Sequence, residues 1–271
     1  MAANKTTPCD AIANIEVADM EIAVHETVCA GNDVVSPDTD NIAGYTDTTK
    51  VSESHPGTVD NPFLFNGTKA QLEKFFLTCV FVAGKNATVQ QSKVDQFVEC
   101  VRRDLGEDVV DTMGVISAIH HTLTEAETEP TVLAWLKEVK SGQYTRIASI
   151  ICNVTAKVAL PKFHITNASR KSLAAIRGIG YKTASFFKLY TTPGWQGAVL
   201  DTHILKYMKE ECNTTGEAPP NAAEYIRLED IFLTHIRSKY PGRSIPEIDF
   251  EIWSKYRSTA GVHEQPEVQA A

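Results

Sequence analysis

Residues 172–208 read SLAAIRGIGYKTASFFKLYTTPGWQGAVLDTHILKYM, and this stretch decides the fold. Leu173 and Ile176 give a short helix one apolar face before the chain reaches Gly178-Ile179-Gly180. Two glycines around one aliphatic residue permit a tight turn with positive φ and the close approach of a second backbone. A further helix begins directly after this turn. The pattern predicts two helices joined by a glycine hairpin, with the aliphatic residue plugged between them.

The start of the second helix predicts an anion site. The N–H groups in the first turn of a helix have no carbonyl partner within that helix, and the helix dipole adds a positive potential there. Because glycine leaves room for close approach, residues 178–180 are predicted to bind one phosphate of a nucleic-acid backbone.

The charge of the chain is unevenly distributed and supports the same interpretation. The net charge of −8 arises mainly in residues 1–60, which hold 11 acidic residues and two lysines. Residues 140–209 hold 11 lysines and arginines against one acid, Asp201. A basic stretch of this kind suits a polyphosphate backbone. The alternative is a solvated, lysine-rich helical face.

Composition excludes several other classes of protein. Hydrophobic residues make up 43% and charged residues 22%, and no apolar run approaches the roughly 18 residues of a membrane span. The first ten residues, MAANKTTPCD, lack the pattern of a secretory leader. Six cysteines without a C-x-x-C pair argue against a zinc ribbon and an iron–sulfur cluster. We expect an intracellular, monomeric protein that does not bind membranes.

Apolar spacing divides the chain into three parts. Residues 1–60 predict an acidic, disordered tail, because they are polar and poor in aromatic residues. Residues 61–263 show apolar side chains at three- and four-residue spacing and predict an all-α domain of roughly eight to eleven helices, with the hairpin at 172–190. Residues 264–271 are predicted to be a disordered C-terminus.

These residues resemble the helix-hairpin-helix signature of the DNA glycosylase superfamily, which includes endonuclease III and the 8-oxoguanine glycosylases. The family pattern is a Leu-x-x-Ile helix, a Gly-x-Gly hairpin, a lysine two residues on, and an aspartate in an aliphatic-Asp-x-His context. The matching positions are Leu173, Ile176, Gly178, Gly180, Lys182 and Asp201. The sequence of these motifs is most similar to that of the archaeal-type 8-oxoguanine glycosylase/lyases, whose Asp-aliphatic-x-x-Trp element has a counterpart between Asp249 and Trp253.

The resemblance implies a fold and a reaction. It implies a two-lobed helix-hairpin-helix fold with a groove for double-stranded DNA that carries a damaged or modified base. Lys182 would be the nucleophile that attacks C1′ and forms a Schiff base, followed by strand cleavage through β-elimination. Asp201 would stabilise the positive charge on the sugar and relay a proton. The leading substrate is 8-oxoguanine, and a DNA-associated location follows.

The remaining site residues also come from the resemblance. Arg177, Gly178, Ile179, Gly180 and Thr183 would bind the DNA backbone. We expect no cofactor and no metal-binding residues, although the resemblance allows a monovalent cation on the hairpin carbonyls. Lys85 or Asn86 would enter the gap left by the flipped nucleotide. Trp253 and Asp249 would form the base pocket.

Departures from the family pattern keep alternatives open. Gly-Lys-Asn at residues 84–86 replaces the usual Ser-x-Gln, Arg177 replaces a proline, and no lysine follows Lys255. One alternative is a glycosylase-fold enzyme of a phage or viral pathway that hypermodifies thymine. Another is a non-catalytic DNA-binding module, in which Lys182 only contacts phosphate and Asp201 only caps a helix.

Overall fold

The structure, a computed structural model, describes residues 64–65, 67–85, 87–160 and 163–258. The predicted tails at 1–60 and 264–271 lie outside these residues. The described part folds into eleven α-helices and contains no β-strand, so the predicted all-α fold is confirmed. The helices are α1 (Lys69–Phe81), α2 (Ala87–Leu105), α3 (Glu107–Met113), α4 (Val115–Thr122), α5 (Glu125–Glu138), α6 (Tyr144–Val158), α7 (Arg170–Ala174), α8 (Tyr181–Thr191), α9 (Thr202–Glu211), α10 (Ala222–Lys239) and α11 (Ile245–Ser258). In this part of the chain, no helix is long and apolar enough to cross a bilayer.

Helix α1 forms the centre of the packing. A capping box starts it: Thr68 Oγ1 accepts from Gln71 N–H at 3.3 Å, and Gln71 Oε1 accepts from Thr68 N–H at 2.8 Å. Every residue from Phe75 to Phe81 is buried, which fits a helix surrounded by neighbours. It contacts α2, α3, α4, α6 and α8.

A buried acid replaces the N-cap side chain of α4. The N-cap residue there is Gly114, which has no side chain to offer. Glu73 of α1 accepts from Ile116 N–H at 2.8 Å, Ser117 N–H at 3.1 Å and Ser117 Oγ at 2.6 Å. Burial raises the pKa of Glu73, and these hydrogen bonds oppose that rise. The carboxyl group therefore fixes α4 on α1 through the donors that a helix start leaves unpaired.

The hairpin helices reach the core through aromatic packing. Phe187 of α8 lies edge-on to Phe76 of α1, with ring centroids 5.4 Å apart, and it stacks with Phe75 at 6.1 Å. Helix α8 also contacts α7 and α11, and α9 packs against α11. The starts of α8 and α9, which carry the two predicted catalytic residues, are thus held by a shared set of helices.

Candidate functional site

The hairpin between α7 and α8 has the geometry that its glycines predict. Ile176 and Ile179 are buried, and the N–H of Ile179 donates to the carbonyl of Ile176 at 2.9 Å. Gly178 has φ +92°, and a Cβ there would lie 2.7 Å from Cγ1 of Ile150 in α6. Both the backbone conformation and the space against α6 therefore require glycine at this position.

The start of α8 is open. Gly180 is its N-cap, no side chain of the described residues caps it, and no atom lies within 4 Å of a Cβ built there. The first-turn N–H groups consequently remain available to an anion. Arg177 is exposed beside them, whereas Thr183 is buried, so any contact of Thr183 with DNA has to come from its N–H group.

Lys182 and Asp201 each stand at a helix start. Lys182 is the second residue of α8 and its side chain is exposed. Asp201 is the N-cap of α9, and its Oδ1 accepts from the N–H groups of His203 and Ile204, both at 2.9 Å. Within the described residues, Oδ2 makes no hydrogen bond. Capping thus occupies one carboxylate oxygen and leaves the second oxygen for other chemistry.

Lys182 and Asp201 both influence the pKa of the His203 imidazole. Burial lowers its pKa, the Asp201 carboxylate opposes this, and the ammonium groups of Lys206 and Lys182 lower the pKa further. Lys182 and Asp201 therefore both lie within electrostatic range of one ring, although they belong to different helices. His203 also meets Trp253 edge-on, with ring centroids 6.0 Å apart at 88°.

The two residues predicted for the base pocket differ in exposure. Trp253 is half-buried, and the guanidinium of Arg257 lies 5.0 Å from its ring centroid. Asp249, one turn earlier on α11, is 5% exposed and accepts from Tyr190 Oη at 2.8 Å. Burial, followed by the charge of Asp201, raises the pKa of Asp249 to about 8. A carboxyl group in this position faces the protein interior.

The predicted insertion turn follows α1. Lys85 is exposed, and a Cβ built on Gly142, between α5 and α6, would lie 2.6 Å from its Nζ. Asn86 lies outside the described residues. Arg146 of α6 donates to the carbonyl of Val80 at 3.2 Å, and its own carbonyl lies 4.0 Å from the Cβ position of Gly178. Helix α6 therefore contacts both the end of α1 and the hairpin.

A cluster of side chains around one arginine, which the sequence did not predict, joins the hairpin to α10. Arg170, the first residue of α7, donates to the Oε1 and Oε2 of Glu229 at 2.5 and 2.7 Å. Its guanidinium lies 5.1 Å from the ring centroid of Tyr181, 5.5 Å from that of Trp195 and 5.9 Å from that of Tyr225. We call these five residues the Arg170 clamp.

The Arg170 clamp also fixes the segment that leads to Asp201. Glu229 Oε1 accepts from the N–H of Ala198 at 2.7 Å. Tyr225 Oη donates to the carbonyl of Ala198 at 3.0 Å and accepts from the N–H of Leu200 at 3.1 Å. One cluster thus holds both the helix before the hairpin and the chain immediately before the catalytic candidate.

Comparison with solved structures finds three similar chains. The 8-oxoguanine glycosylase/lyase of Methanocaldococcus jannaschii, in complex with 15mer DNA containing 8-oxoguanine, is 23% identical at a TM-score of 0.46, over 73% of this chain and 86% of that one. The 8-oxoguanine DNA glycosylase of Thermotoga maritima is 23% identical at a TM-score of 0.47, over 70% of this chain and 81% of that one. Comparisons with models of protein families and with curated proteins found no match.

Proposed function

We propose that the chain is a DNA base-excision glycosylase with an associated AP lyase activity, acting on a damaged or modified base in double-stranded DNA. The observation that supports it is that Lys182 and Asp201 each stand at a helix start, Lys182 with an exposed side chain and Asp201 with only one carboxylate oxygen used in the helix cap. An uncapped helix start stands beside them. An amine, a carboxylate and an anion site are the groups that the reaction at C1′ of a deoxyribose requires.

In this proposal the hairpin positions the strand and the two side chains perform the chemistry. The N–H groups at the start of α8 bind one phosphate, and the target nucleotide leaves the stack so that C1′ becomes accessible. Asp201 Oδ2 takes a proton from the Lys182 ammonium group, and the freed lone pair of the nitrogen bonds to C1′ as the bond to the base nitrogen breaks. The base leaves with that electron pair and with a proton relayed through Asp201 Oδ2.

The lyase step follows from the same intermediate. The C1′–O4′ bond breaks, O4′ takes a proton from the lysine nitrogen, and a Schiff base remains between Lys182 and C1′. Loss of a proton from C2′ then expels the 3′ phosphate and cleaves the strand. Throughout, the Asp201 carboxylate stabilises the positive charge that develops on the sugar.

The substrate belongs to the proposal as well. We assign 8-oxoguanine as the leading substrate because the hairpin and the Asp249–Trp253 element resemble the archaeal-type enzymes most. Trp253 lies half-buried beside His203, and a flipped base that stacks on its ring would replace the Arg257 guanidinium, which lies 5.0 Å from the ring centroid. The monomeric state, the DNA-associated location and the monovalent cation at the hairpin stay predictions.

Borohydride trapping on duplexes that each carry one lesion tests the proposal. Wild type should give a covalent adduct with at least one lesion, and Lys182→Gln should give none. Lys206→Gln, which removes an exposed ammonium one turn into α9, is the matched control and should still be trapped. Asp201→Asn should slow base release by roughly 10²- to 10⁴-fold.

Each other outcome has a defined meaning. An adduct that persists in Lys182→Gln would exclude Lys182 as the nucleophile. Activity on a modified thymine alone would favour the hypermodification pathway. Duplex binding by wild type, without base release or trapping on any lesion, would favour the non-catalytic module.

A further inference from the structure

Tyr225 of α10 contacts the residue that directly precedes each catalytic candidate. Its ring centroid lies 5.6 Å from that of Tyr181, the residue before Lys182, at an interplanar angle of 47°. Its hydroxyl accepts from the N–H of Leu200, the residue before Asp201, at 3.1 Å. Tyr225 is 3% exposed, so it reaches these residues from inside the protein. One side chain therefore bridges the start of α8 and the start of α9.

The hydroxyl of Tyr225 holds the backbone before Asp201 through two hydrogen bonds. It donates to the carbonyl of Ala198 at 3.0 Å while it accepts from the N–H of Leu200. Burial raises the pKa of Tyr225, so the hydroxyl keeps the proton that it donates. In the described part of the chain, the N–H of Leu200 has no other hydrogen-bond partner. Because Leu200 is buried, removing the hydroxyl would leave this N–H unpaired.

A tight turn transmits the position of Leu200 to Asp201. The N–H of Asp201 donates to the carbonyl of Val199 at 2.9 Å, which closes a three-residue turn around Leu200. The carboxylate of Asp201 then caps α9. Asp201 is thus bound to the chain on both sides of it, and a shift of Leu200 would shift Asp201 as well.

The rest of the Arg170 clamp fixes Tyr225 itself. The guanidinium of Arg170 lies 5.9 Å from the ring centroid of Tyr225 and 5.1 Å from that of Tyr181. Glu229, one turn further along α10, binds Arg170 and accepts from the N–H of Ala198 at 2.7 Å. The hydroxyl of Tyr225 is therefore presented at a defined point relative to α8.

We propose that Tyr225 is a positioning residue that holds Asp201 at a fixed place relative to Lys182, with its hydroxyl on the chain before Asp201 and its ring on the start of α8. The inference rests on the proposed function, because this placement matters only if both residues act on one substrate. A carboxylate that stabilises a developing charge has to be in place beforehand, and a misplacement of about 1 Å can slow a reaction roughly 100-fold.

Tyr225→Phe tests the inference, because it removes the hydroxyl and keeps the ring beside Tyr181. The single-turnover rate constant of base release at saturating enzyme should fall roughly 10- to 100-fold, on the lesion that wild type processes. Affinity for the same duplex should stay unchanged, since the start of α8 is untouched. At saturating enzyme this rate constant does not depend on the folded fraction of the protein, so a merely structural role would leave it unchanged.

Tyr207→Phe is the matched control. Tyr207 is 2% exposed, and its hydroxyl is 2.9 Å from Nε2 of His235 on the same helix α10. The variant therefore loses one buried hydroxyl group and its bond to α10, but no bond to the chain before Asp201. It should keep the wild-type rate constant.

A second measurement needs no activity. Amide hydrogen exchange followed by NMR should show a protected Leu200 N–H in wild type and in Tyr207→Phe, and faster exchange in Tyr225→Phe. Equal exchange in wild type and Tyr225→Phe would overturn the inference, because the hydroxyl would then not hold the segment. Faster exchange combined with an unchanged rate constant would overturn it too.

The two proposals fail in distinguishable ways. If wild type releases no base and gives no trapped adduct, the proposed function fails and the catalytic role of Tyr225 falls with it. If wild type is active and Tyr225→Phe is equally fast, the proposed function stands and only the role of Tyr225 is refuted.

Discussion

Replacing each hairpin glycine with alanine should affect a different property: protein stability at residue 178 and DNA affinity at residue 180. Gly178→Ala forces an L-residue to φ +92° and places its Cβ 2.7 Å from Ile150 Cγ1 and 3.1 Å from Ile150 Cδ1. The left-handed backbone costs about 1–2 kcal/mol and overpacking costs about 1–3 kcal/mol. Alanine lowers the entropy of the unfolded chain and returns about 0.4–1 kcal/mol. The free energy of unfolding should fall by roughly 1 to 5 kcal/mol.

Gly180→Ala should give the opposite pattern. The backbone there has φ −91°, which alanine adopts without strain, and no atom lies within 4 Å of the new Cβ. Stability should change by less than about 1 kcal/mol, because the lower entropy of the unfolded chain favours alanine whereas an N-cap position favours glycine over alanine. The methyl group instead fills the space in front of α8 where a phosphate is expected, so DNA affinity should fall roughly 2- to 10-fold. Urea denaturation measures the first effect, and fluorescence anisotropy with a labelled duplex measures the second.

A double-mutant cycle tests the steric part of this reasoning. Ile150→Ala removes the atoms that the Cβ at residue 178 would meet, so Gly178→Ala should cost less in that background, with a coupling energy of about 0.5–3 kcal/mol. Additive effects would show that packing against Ile150 is not the cause. Equal stability of Gly178→Ala and Gly180→Ala in urea would refute the whole account of the hairpin.

Three further predictions concern the surroundings of the site. Glu229→Ala should lower the free energy of unfolding by about 3–5 kcal/mol, because it leaves the Arg170 guanidinium without its buried partner; urea denaturation checks this. Glu73→Ala should lower the free energy of unfolding by about 1–3 kcal/mol, because it leaves the Ser117 donors at the start of α4 unpaired. The urea concentration at the midpoint should fall, whereas the slope of the free energy of unfolding against urea concentration should stay unchanged. Lys85→Ala should leave stability unchanged and reduce the salt dependence of duplex binding by about one released counterion, measured by anisotropy at several salt concentrations.

The helical fold could be predicted because apolar spacing reports directly on one buried face. Ile147, Ile150, Ile151 and Val154 recur at three- and four-residue intervals, and all four are buried in α6. The turn chemistry of Gly178-Ile179-Gly180 is equally local, since it depends on φ angles and on the absence of a side chain. The second helix is expected to begin directly after this turn, at Tyr181 or Lys182, and it begins at Tyr181.

The Arg170 clamp could not be predicted, because its members share no local pattern. Arg170 and Glu229 are 59 residues apart, and in the sequence Arg170 is only one of the positive charges of a basic stretch. The burial of Asp249 is similar. Its position one turn before Trp253 is visible in the sequence, but only the packing of α11 on α8 shows that it faces Tyr190 and not open space.

The two catalytic candidates are held by different means, and the difference suits the reaction we propose. Asp201 is fixed from two directions: by the N–H groups of α9, and by the Arg170 clamp through Ala198. Among the described residues, no hydrogen bond or ion pair holds the exposed side chain of Lys182, so this side chain can move while its helix stays fixed. A charge that stabilises a transition state has to be in place beforehand, because reorganising it would add to the barrier. A nucleophile has to travel from its resting position to C1′, remain bonded through two steps and then be released, and an exposed four-carbon side chain permits that movement.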